Sequence, residues 1–289
     1  MRVLITGANG HIGRRLIEHL SKESSVCAIV RSDRAAAALA ASKAEEVRVL
    51  DYSDTEAITR AMSSCTHAVH LVGIIKESRE TDFETAHVST TRAFVKAAET
   101  CKLRQIIYLS ILGAHENAVN RCHATKAEAE KLLMESTIPS TIFRVPMVLG
   151  EGDYASASLS RMARKKLSIT FRAASLEQPI YVGDVVRAVR AALKLPESMG
   201  ICDLAGPTSL SRRDLYRRAG FSGCLISLPL IIGTIAGFFL EKLSGNPPFT
   251  REMLGVLDHD DAVDSTLTYE NLALTPTELS AMLARVVTK

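Results

Sequence analysis

The sequence predicts an α/β fold in which a doubly wound parallel sheet carries helices on both faces. Three observations predict it. Apolar runs of four to eight residues alternate with longer stretches of helical periodicity. The apolar runs are nearly continuous, as in strands buried on both faces. Finally, 47% apolar residues in a chain of 289 are ample for a sizeable core.

The elements follow one another in the order that βαβ units require. Strands are predicted at residues 2–6, 26–30, 47–50, 68–73, 105–110 and 141–145. Helices are predicted at residues 11–20, 34–42, 55–62, 83–100 and 125–135, with Asp54 as an N-cap, and the stretch QPIYVGDVVRAVRAALK adds one more strand and helix. Parallel neighbours need right-handed helical crossovers, so this order indicates the Rossmann class.

A second, smaller lobe is predicted after Gly206-Pro207, where the composition changes. We assign residues 1–205 to the Rossmann domain, with 150–178 contributing to the cleft, and residues 206–289 to a small, mainly helical lobe for substrate or partner. Ser211-x-x-Asp214 resembles a capping box, and Thr275-Pro276-Thr277-Glu278 is a stronger one with proline at the first helical position.

Charge and cysteine usage narrow the class of protein. A formal charge of +3, from 35 basic and 32 acidic residues, is too small and dispersed to predict nucleic-acid binding. Six cysteines without CxxC spacing predict a reducing compartment and no metal site. Met1 directly precedes the first strand, so we expect no secretory signal and a cytoplasmic location.

The first strand runs into a glycine-rich turn that opens the first helix, which is the context of a dinucleotide-binding motif. Gly7 would permit the tight turn, Gly10 would let the backbone approach a pyrophosphate, and Gly13 would let helix and strand pack closely. The phosphates would lie on the N–H groups of the helix N-terminus. The predicted contacts are Gly7, Ala8, Asn9, Gly10, His11, Ile12 and Gly13. The alternative is a glycine turn without a ligand.

The end of the second strand, AIVRSDR, should meet the adenosine ribose. Arg31 is the favoured contact for a 2′-phosphate and Arg34 a second candidate, whereas Asp33 favours a free 2′-hydroxyl. NADP(H) is therefore the favoured cofactor and NAD(H) the alternative. If Arg31 is only a surface residue at a strand end, this preference has no basis.

Two further stretches are placed near the adenosine by the geometry of such a sheet. Asp51 follows the third strand and could accept a hydrogen bond from the adenine amino group, unless it only caps the next helix. Tyr52 lies beside it. At the end of the fourth strand, backbone from Leu71, Val72 and Gly73 should approach the ribose.

The chain resembles the short-chain dehydrogenase/reductase superfamily in its extended and atypical branches, whose TGxxGxxG signature is present as residues 6–13. Within that superfamily it is most similar to proteins related to the nucleotide-binding accessory subunit of respiratory complex I. The matching stretches are HLVGIIKE, FETAHVSTTRAFVKAAE, YLSILGA, KAEAEKLL, FRVPMVLGEGD, QPIYVGDVVRA, DLAGP and LPL. The resemblance covers most of the chain.

The resemblance implies a catalytic Ser, Tyr and Lys, the last two as YxxxK on one helical face. Ser110 matches the serine and Lys126 the lysine, but Cys122 stands at the tyrosine position. A thiol is shorter than a phenol and has a different pKa, so we expect the proton relay to be broken. Cys122 is then a packed, inert thiol, a substitute acid or redox-sensitive thiol near Lys126, or evidence that the turn is misaligned.

Cofactor binding does not require the missing tyrosine. Lys126 can still bind the hydroxyls of the nicotinamide ribose and Ser110 can still line the pocket. By resemblance, the backbone at Val145 and Pro146 passes the nicotinamide.

Residues 224–240 (CLISLPLIIGTIAGFFL) are almost wholly apolar. A membrane span needs about 20 apolar residues, and Pro229 shortens the helix to about a dozen. A buried or partner-facing helix is therefore preferred to a span. Because the resemblance implies that this lobe faces other subunits or a membrane, contact with a protein complex or with the inner face of a membrane is the alternative location.

Two functional hypotheses follow. The first is an NADP(H)-binding oxidoreductase, or an epimerase-type enzyme, that transfers hydride on a small carbonyl, quinone-like or sugar-nucleotide substrate with Ser110 and Lys126 in the pocket. The second is a non-catalytic accessory, assembly or redox-sensing protein that binds the dinucleotide. Cys122 favours the second hypothesis, and the glycine turn fits both.

Overall fold

The computed structural model describes residues 1–243, 249–256 and 258–287. The strands are β1 (Arg2–Thr6), β2 (Ser25–Val30), β3 (Glu46–Val49), β4 (His67–His70), β5 (Gln105–Ile111), β6 (Ser140–Val145), β7 (Val148–Leu149), β8 (Leu167–Phe171), β9 (Leu176–Glu177), β10 (Ile180–Tyr181), β11 (Gly200–Asp203), β12 (Leu210–Ser211) and β13 (Cys224–Leu228). Seven of them form a parallel sheet in the order β11-β6-β5-β4-β1-β2-β3. The predicted doubly wound Rossmann class is confirmed.

Helices connect and cover these strands. They are α1 (His11–Leu20), α2 (Asp33–Ala37), α3 (Thr55–Met62), a π-helical segment (Glu84–Ser89) that continues into α4 (Thr90–Cys101), α5 (Arg121–Met134), α6 (Tyr154–Ala163), α7 (Val182–Ala192), α8 (Arg212–Arg218), α9 (Leu230–Leu243), α10 (Arg251–Val256), α11 (Thr266–Asn271) and α12 (Leu279–Val286).

Both faces of the sheet are buried, because successive strand residues point to opposite faces. On β1, Val3 and Ile5 join the core under α1 and α7, whereas Leu4 joins the core under α3, α4 and α5. Each of these three side chains is fully buried. Because β1, β4 and β5 are parallel neighbours, their C-terminal ends lie at the same edge of the sheet, where α1 and α5 begin.

The smaller lobe draws on two separated parts of the sequence. β8 pairs in parallel with β13, and β9 pairs antiparallel with β12. Its own core joins α6, α8 and α12 through Leu159, Leu215 and Met282. The strand β8 and helix α6 lie in the stretch 150–178, where the repeating sequence pattern is weak.

Several predicted boundaries are wrong. The helix predicted at 34–42 ends at Ala37, and the strand predicted at 68–73 ends at His70. The helix predicted at 125–135 begins at Arg121, because the side chain of Asn120 accepts the N–H of His123 and caps it one turn earlier. The helix predicted at 83–100 opens as a π-helical segment.

The N-cap predictions have mixed outcomes. Asp54 caps α3 by accepting the N–H of Ala57 at 2.9 Å, and Ser211 caps α8 by accepting the N–H of Asp214 at 3.0 Å. The box predicted at 275–278 is wrong. The helix α12 begins only at Leu279, with Glu278 rather than Thr275 at its N-cap position. Thr277, inside the predicted box, donates its N–H and hydroxyl to the buried carboxylate of Asp184, at 2.7 Å each, and ties the chain to α7.

Candidate functional site

The glycine turn lies between β1 and α1 with backbone packed closely around it. Gly7 has a φ of +66°, and a Cβ there would lie 3.1 Å from the carbonyl carbon of Leu71. A Cβ on Gly13 would lie 2.6 Å from the carbonyl oxygen of Ala8 and 2.7 Å from that of Gly7. Because real side chains do not come so close to backbone oxygen atoms, Gly13 allows α1 to start directly against the turn.

The turn leaves hydrogen-bond donors at the start of α1. The N–H of Gly10 donates to the carbonyl of Gly7 at 3.0 Å. Within residues 1–243, 249–256 and 258–287, the N–H groups of His11, Ile12 and Gly13 have no acceptor. Three unpaired donors at a helix N-terminus, where the helix dipole is positive, fit the pyrophosphate of a dinucleotide.

Tyr52 supports the turn rather than a ligand. Its hydroxyl accepts the N–H of Gly7 at 2.9 Å and donates to the carbonyl of Ile29 at 3.0 Å. Ala8 donates to that same carbonyl at 3.3 Å. Tyr52 thus links β2, the turn and the segment after β3, and burial raises the pKa of its phenol.

Polar side chains at the ends of β2 and β3 lie exposed beside the turn. Arg31 lies near the hydroxyl of Tyr52 and, in the described part of the chain, has no ion-pair partner; Arg34 and Asp33 are also exposed. One oxygen of Asp51 accepts the N–H and the hydroxyl of Ser53 at 2.8 Å each. Asp51 therefore holds the turn before α3.

The ring of His11 points away from the turn toward α6. Its Nε2 lies 3.8 Å from Oδ2 of Asp153, and a Cβ on Gly150 would come within 2.7 Å of it. Burial and Arg15 lower the pKa of His11. The backbone N–H of His11, and not its ring, therefore faces the place predicted for the dinucleotide.

Lys126 is buried between β5 and α5. Its ammonium donates to the hydroxyl of Tyr108 and to the carbonyl of Leu109, each at 3.0 Å, and lies 4.6 Å from the ring centre of Tyr108. A Cβ on Gly73 would lie 2.9 Å from the ammonium nitrogen. The ammonium therefore lies directly against the segment after β4. That segment is predicted to approach the adenosine ribose, whereas Lys126 is predicted to bind the nicotinamide ribose.

Ser110 lies two residues after Tyr108 on β5, on the same face of the strand. It is 1% exposed, and its Oγ has no hydrogen-bond partner among the described residues. A buried hydroxyl without a partner is costly, and such groups are rare in folded proteins. An acceptor atom of a bound molecule would complete this hydrogen bond.

Cys122 is a packed thiol. It is fully buried, and its Sγ donates to the carbonyl of Ile74 at 3.7 Å. Burial raises its pKa to about 11, and the carboxylates of Glu252 and Glu77 add to the rise, although Lys126 opposes it. The interpretation as an inert thiol therefore fits this environment, and a reactive thiolate does not.

A buried chain of hydrogen bonds holds the segment after β4 against α5. His87 contacts the N–H and carbonyl of Ile74 at 3.1 and 3.0 Å, and its Nδ1 lies 2.9 Å from the hydroxyl of Thr125, which donates to the carbonyl of Arg121. Burial, together with Lys126, lowers the pKa of His87 to about 3. A neutral His87 thus fixes α5, and with it Lys126.

A strap from the smaller lobe covers this end of the sheet, which the sequence did not reveal. We define the strap as α10 and residues 258–264. Glu252 accepts the N–H of Arg121 at 3.0 Å, at the start of α5. The ring of His259 packs against Gly113 after β5 and lies 5.9 Å from the ring of His123. Burial lowers the pKa of His123 to about 4.

The remaining predicted contacts lie at strand ends around the same opening. Leu71 and Val72 are half-buried behind β4, Val145 is buried at the end of β6, and Pro146 is half-buried just beyond it. The structure thus brings the glycine turn, Gly73, Ser110, Lys126 and the β6 end to one edge of the sheet.

We preferred a buried or partner-facing helix for the apolar segment 224–240, and the exposure of this segment contradicts only the buried alternative. It forms β13 and most of α9, and only Gly233 and Gly237 of α9 are buried. The exposed side chains of the helix include Ile231, Ile232, Ile235, Phe238 and Phe239. Across the described ranges, no helix has both the length and the apolar character needed to cross a bilayer.

The parallel sheet, the glycine turn and the free donors of α1 define a dinucleotide-binding protein of the Rossmann type. A family model described as NAD(P)H-binding matches residues 7–170, which is more than half of the chain. The chain belongs to this NAD(P)H-binding family, within the short-chain dehydrogenase/reductase class that its motifs resemble.

Relatives agree with this assignment. The chain is 27% identical over 299 residues to the mitochondrial NADH dehydrogenase [ubiquinone] 1 alpha subcomplex subunit 9 of Arabidopsis thaliana, covering 95% of this chain and 74% of the relative. It is 27% identical over 220 residues to the ceramide reductase of Caulobacter vibrioides, and the match covers 74% of this chain and 66% of the relative. The UDP-glucose 4-epimerase of Thermotoga maritima, solved with UDP-glucose, shares the fold with a TM-score of 0.75 at 17% identity, over 99% of this chain and 97% of that one.

Proposed function

We propose that the chain is an NADP(H)-dependent oxidoreductase that reduces or forms a carbonyl group. The observation that carries the proposal is the buried hydroxyl of Ser110, which has no partner in the described structure and lies on β5 two residues from the contact of Lys126 with Tyr108. A substrate oxygen is the acceptor that this donor lacks. The name of the Caulobacter relative, a ceramide reductase, supports an oxidoreductase.

The dinucleotide would be held at three places. The N–H groups of His11, Ile12 and Gly13 would bind the pyrophosphate, and Arg31, exposed at the end of β2, would bind the 2′-phosphate. An exposed arginine without an ion-pair partner is a suitable phosphate ligand. This arrangement supports NADP(H) over NAD(H).

Ser110 would contact the substrate, and Lys126 would contact the cofactor ribose. When bound, the nicotinamide supplies or accepts the hydride. Ser110 orients the substrate by donating a hydrogen bond to the carbonyl oxygen. Lys126, held by Tyr108 and Leu109, has one N–H left for a ribose hydroxyl. Because the thiol of Cys122 is fully buried and already donates to the carbonyl of Ile74, water rather than Cys122 would supply the proton.

Turnover by the purified protein tests this proposal. We expect oxidation of NADPH, followed by nicotinamide absorbance, in the presence of uncharged ketones. Ser110→Ala should lower kcat at least tenfold with little change in NADPH affinity, a loss of roughly 1.4 kcal/mol or more in transition-state binding. Ser63→Ala, an exposed serine after α3, is the matched control. No turnover by the unchanged chain, or equal turnover by Ser110→Ala, would refute it.

The exposed face of α9 favours a second function, that of an accessory subunit. Large apolar groups such as Ile231 and Phe239 are 62% and 58% exposed, which is typical of a surface that another protein or a membrane covers. The Arabidopsis relative is named as a subunit of NADH dehydrogenase. We expect the double variant Ile235→Ser and Phe239→Ser to lose association with a membrane or protein complex in fractionated cells, while Ser110→Ala retains it. If the unchanged chain, the double variant and Ser110→Ala all fractionate equally, this role is contradicted.

A further inference from the structure

Two basic runs that are distant in the sequence lie next to each other in the smaller lobe. Residues 161–166 (RMARKK) span the end of α6, and residues 212–218 (RRDLYRR) form α8. A Cβ on Gly220, just after α8, would lie 3.9 Å from the methyl of Ala163, so the ends of the two helices adjoin. The runs contain eight basic residues and one acidic residue, Asp214. The fold therefore concentrates positive charge at one place in the lobe.

Carboxylates neutralise little of this charge. Buried Arg212 pairs with Glu177, and its Nη2 lies 2.6 Å from Oε1. Asp214 accepts the hydroxyl of Ser211 at 2.5 Å, at the start of α8. Arg218 is exposed and, in the described part of the chain, has no ion-pair partner. Seven exposed basic residues of the two runs therefore stand against one exposed carboxylate within them.

The helix dipoles account for only some of these cations. A basic side chain in the last turn of a helix interacts favourably with the negative end of the dipole, and the effect is limited to that turn. Arg161 lies in the last turn of α6, and Arg217 and Arg218 lie in that of α8. Residues 165–166 follow α6, and Arg213 lies in the first turn of α8, where the dipole disfavours a cation. The runs thus carry more positive charge than the helix ends use.

A cavity of about 1050 Å³ lies where the two runs meet, between the ends of α6 and α8 and one side of α12. Its polar lining consists of Arg164, Arg218 and Ser280. The other lining residues are small or apolar: Ala163, Ala219, Gly220, Leu283, Ala284 and Val287. A largely apolar wall with a few polar groups at one place is typical of sites for small molecules.

We propose that this cavity binds an anionic amphiphile, a molecule with a phosphate or carboxylate head and an apolar chain. Arg218 would donate charge-assisted hydrogen bonds to the head, and the positive charge of Arg164 would add to the attraction. The chain would cover Leu283, Ala284 and Val287 and would gain free energy by leaving water. The inference goes beyond the proposed function, because the described lining of the cavity includes no residue of the glycine turn, β4 or β5.

Titration calorimetry of the full chain tests the proposal with three probes, each kept below the concentration at which it aggregates. Decyl phosphate has both head and chain, 1-decanol has the chain alone, and inorganic phosphate has the head alone. We expect saturable binding of decyl phosphate and at least tenfold weaker binding of the other two, since charge-assisted hydrogen bonds and buried methylenes each favour binding by about this factor or more. Equal affinity for decyl phosphate and 1-decanol, or no saturable binding of decyl phosphate, would overturn the proposal.

Two pairs of variants locate the site, and cooperative unfolding by denaturant checks that all four are folded. Arg218→Gln should weaken decyl phosphate binding at least tenfold, whereas Arg213→Gln, the same change at an exposed residue of α8 outside the cavity lining, should weaken it less than about twofold. Ala284→Trp should fill the cavity and abolish binding of decyl phosphate. Ala281→Trp, exposed on the same helix but outside the lining, is its control. Equal effects within either pair would contradict the site.

Competition experiments distinguish the sources of such a ligand and separate the cavity from the dinucleotide site. Displacement of decyl phosphate by phosphatidylglycerol vesicles, but not by phosphatidylcholine vesicles, would support an anionic membrane lipid as the source, and no displacement by either would support a free acid. Equal displacement by both kinds of vesicle would contradict recognition of the head. Displacement by NADPH would overturn the proposal, because decyl phosphate would then occupy the dinucleotide site. Failure of NADPH itself to bind would bear on the proposed function alone.

Discussion

The hydroxyl of Tyr108 lies 3.0 Å from the ammonium nitrogen of Lys126, so a tyrosine and a lysine are paired across β5 and α5 rather than along one helix. Tyr108 is fully buried and lies on the core side of the lysine, whereas Cys122 occupies the helical position that YxxxK assigns to the tyrosine. The pair positions the ammonium against Gly73. It does not place a phenol where a substrate could be protonated.

The pair should contribute measurably to stability. Tyr108→Phe removes one of two acceptors from a buried ammonium, and leaving a buried charged donor short of a partner costs about 1–3 kcal/mol. We expect that loss in the free energy of unfolding by denaturant. Tyr154→Phe is the control, because Tyr154 is 82% exposed. Equal stability of the two variants would show that the hydroxyl contributes nothing.

Arg31 should determine which dinucleotide is preferred. Arg31→Ala removes the expected charge-assisted hydrogen bonds to the 2′-phosphate, which are worth roughly 1.5–3 kcal/mol, or about ten- to a hundredfold in affinity. Fluorescence titration should show weaker NADPH binding and unchanged NADH binding. Arg60→Ala, an exposed arginine on α3, should alter neither. A preference for NADH in the unchanged chain would contradict the assignment of Arg31.

Cys122 should resist alkylation. Its pKa of about 11 leaves very little thiolate near neutral pH, and the thiol is fully buried. Iodoacetamide followed by peptide mass spectrometry should label exposed Cys224 at least a hundredfold faster. The rate at Cys122 should rise with pH toward 11. Fast labelling of Cys122 would indicate the reactive thiol that the environment argues against.

Asp261 should make the chain less stable as pH rises. Its folded-state pKa of about 7 lies above the ordinary value of 3.8, so the folded chain binds the proton more tightly. Stability from this group is present at low pH and is lost as pH rises toward 7. Asp261→Asn should therefore raise the free energy of unfolding by about 1–2 kcal/mol at pH 8 and have little effect at pH 4. Asp33→Asn, an exposed carboxylate on α2, is the control; the same pH profile in both variants would remove Asp261 as the cause.

Local patterns predicted the fold and the glycine turn well. β1 and α1 have the predicted bounds because their signals, a short apolar run followed by spaced glycines, lie within a few residues. The capping box at 275–278 was mispredicted, because Thr277 within it binds Asp184, which lies 93 residues away, and α12 begins only at Leu279. Spacing along the sequence could not reveal such a partner.

The site itself was only partly predictable. The family resemblance predicted Ser110 and Lys126 as site residues, but the contact of Lys126 with Tyr108 depends on how α5 packs on β5. The apolar stretch around α9 lacks a polar face, so periodicity could not tell a buried helix from an exposed one. The strap was missed because its contacts, such as that of His259 with Gly113, join distant segments.

The central claim is that the start of α1 holds the pyrophosphate of a nicotinamide dinucleotide. The most direct test is a titration of isotope-labelled protein with NADPH, followed through the backbone amide resonances. We expect saturable shifts at the N–H groups of His11, Ile12 and Gly13, which lack acceptors in the described structure. Saturation with these three resonances unmoved, or no saturation at all, would contradict it.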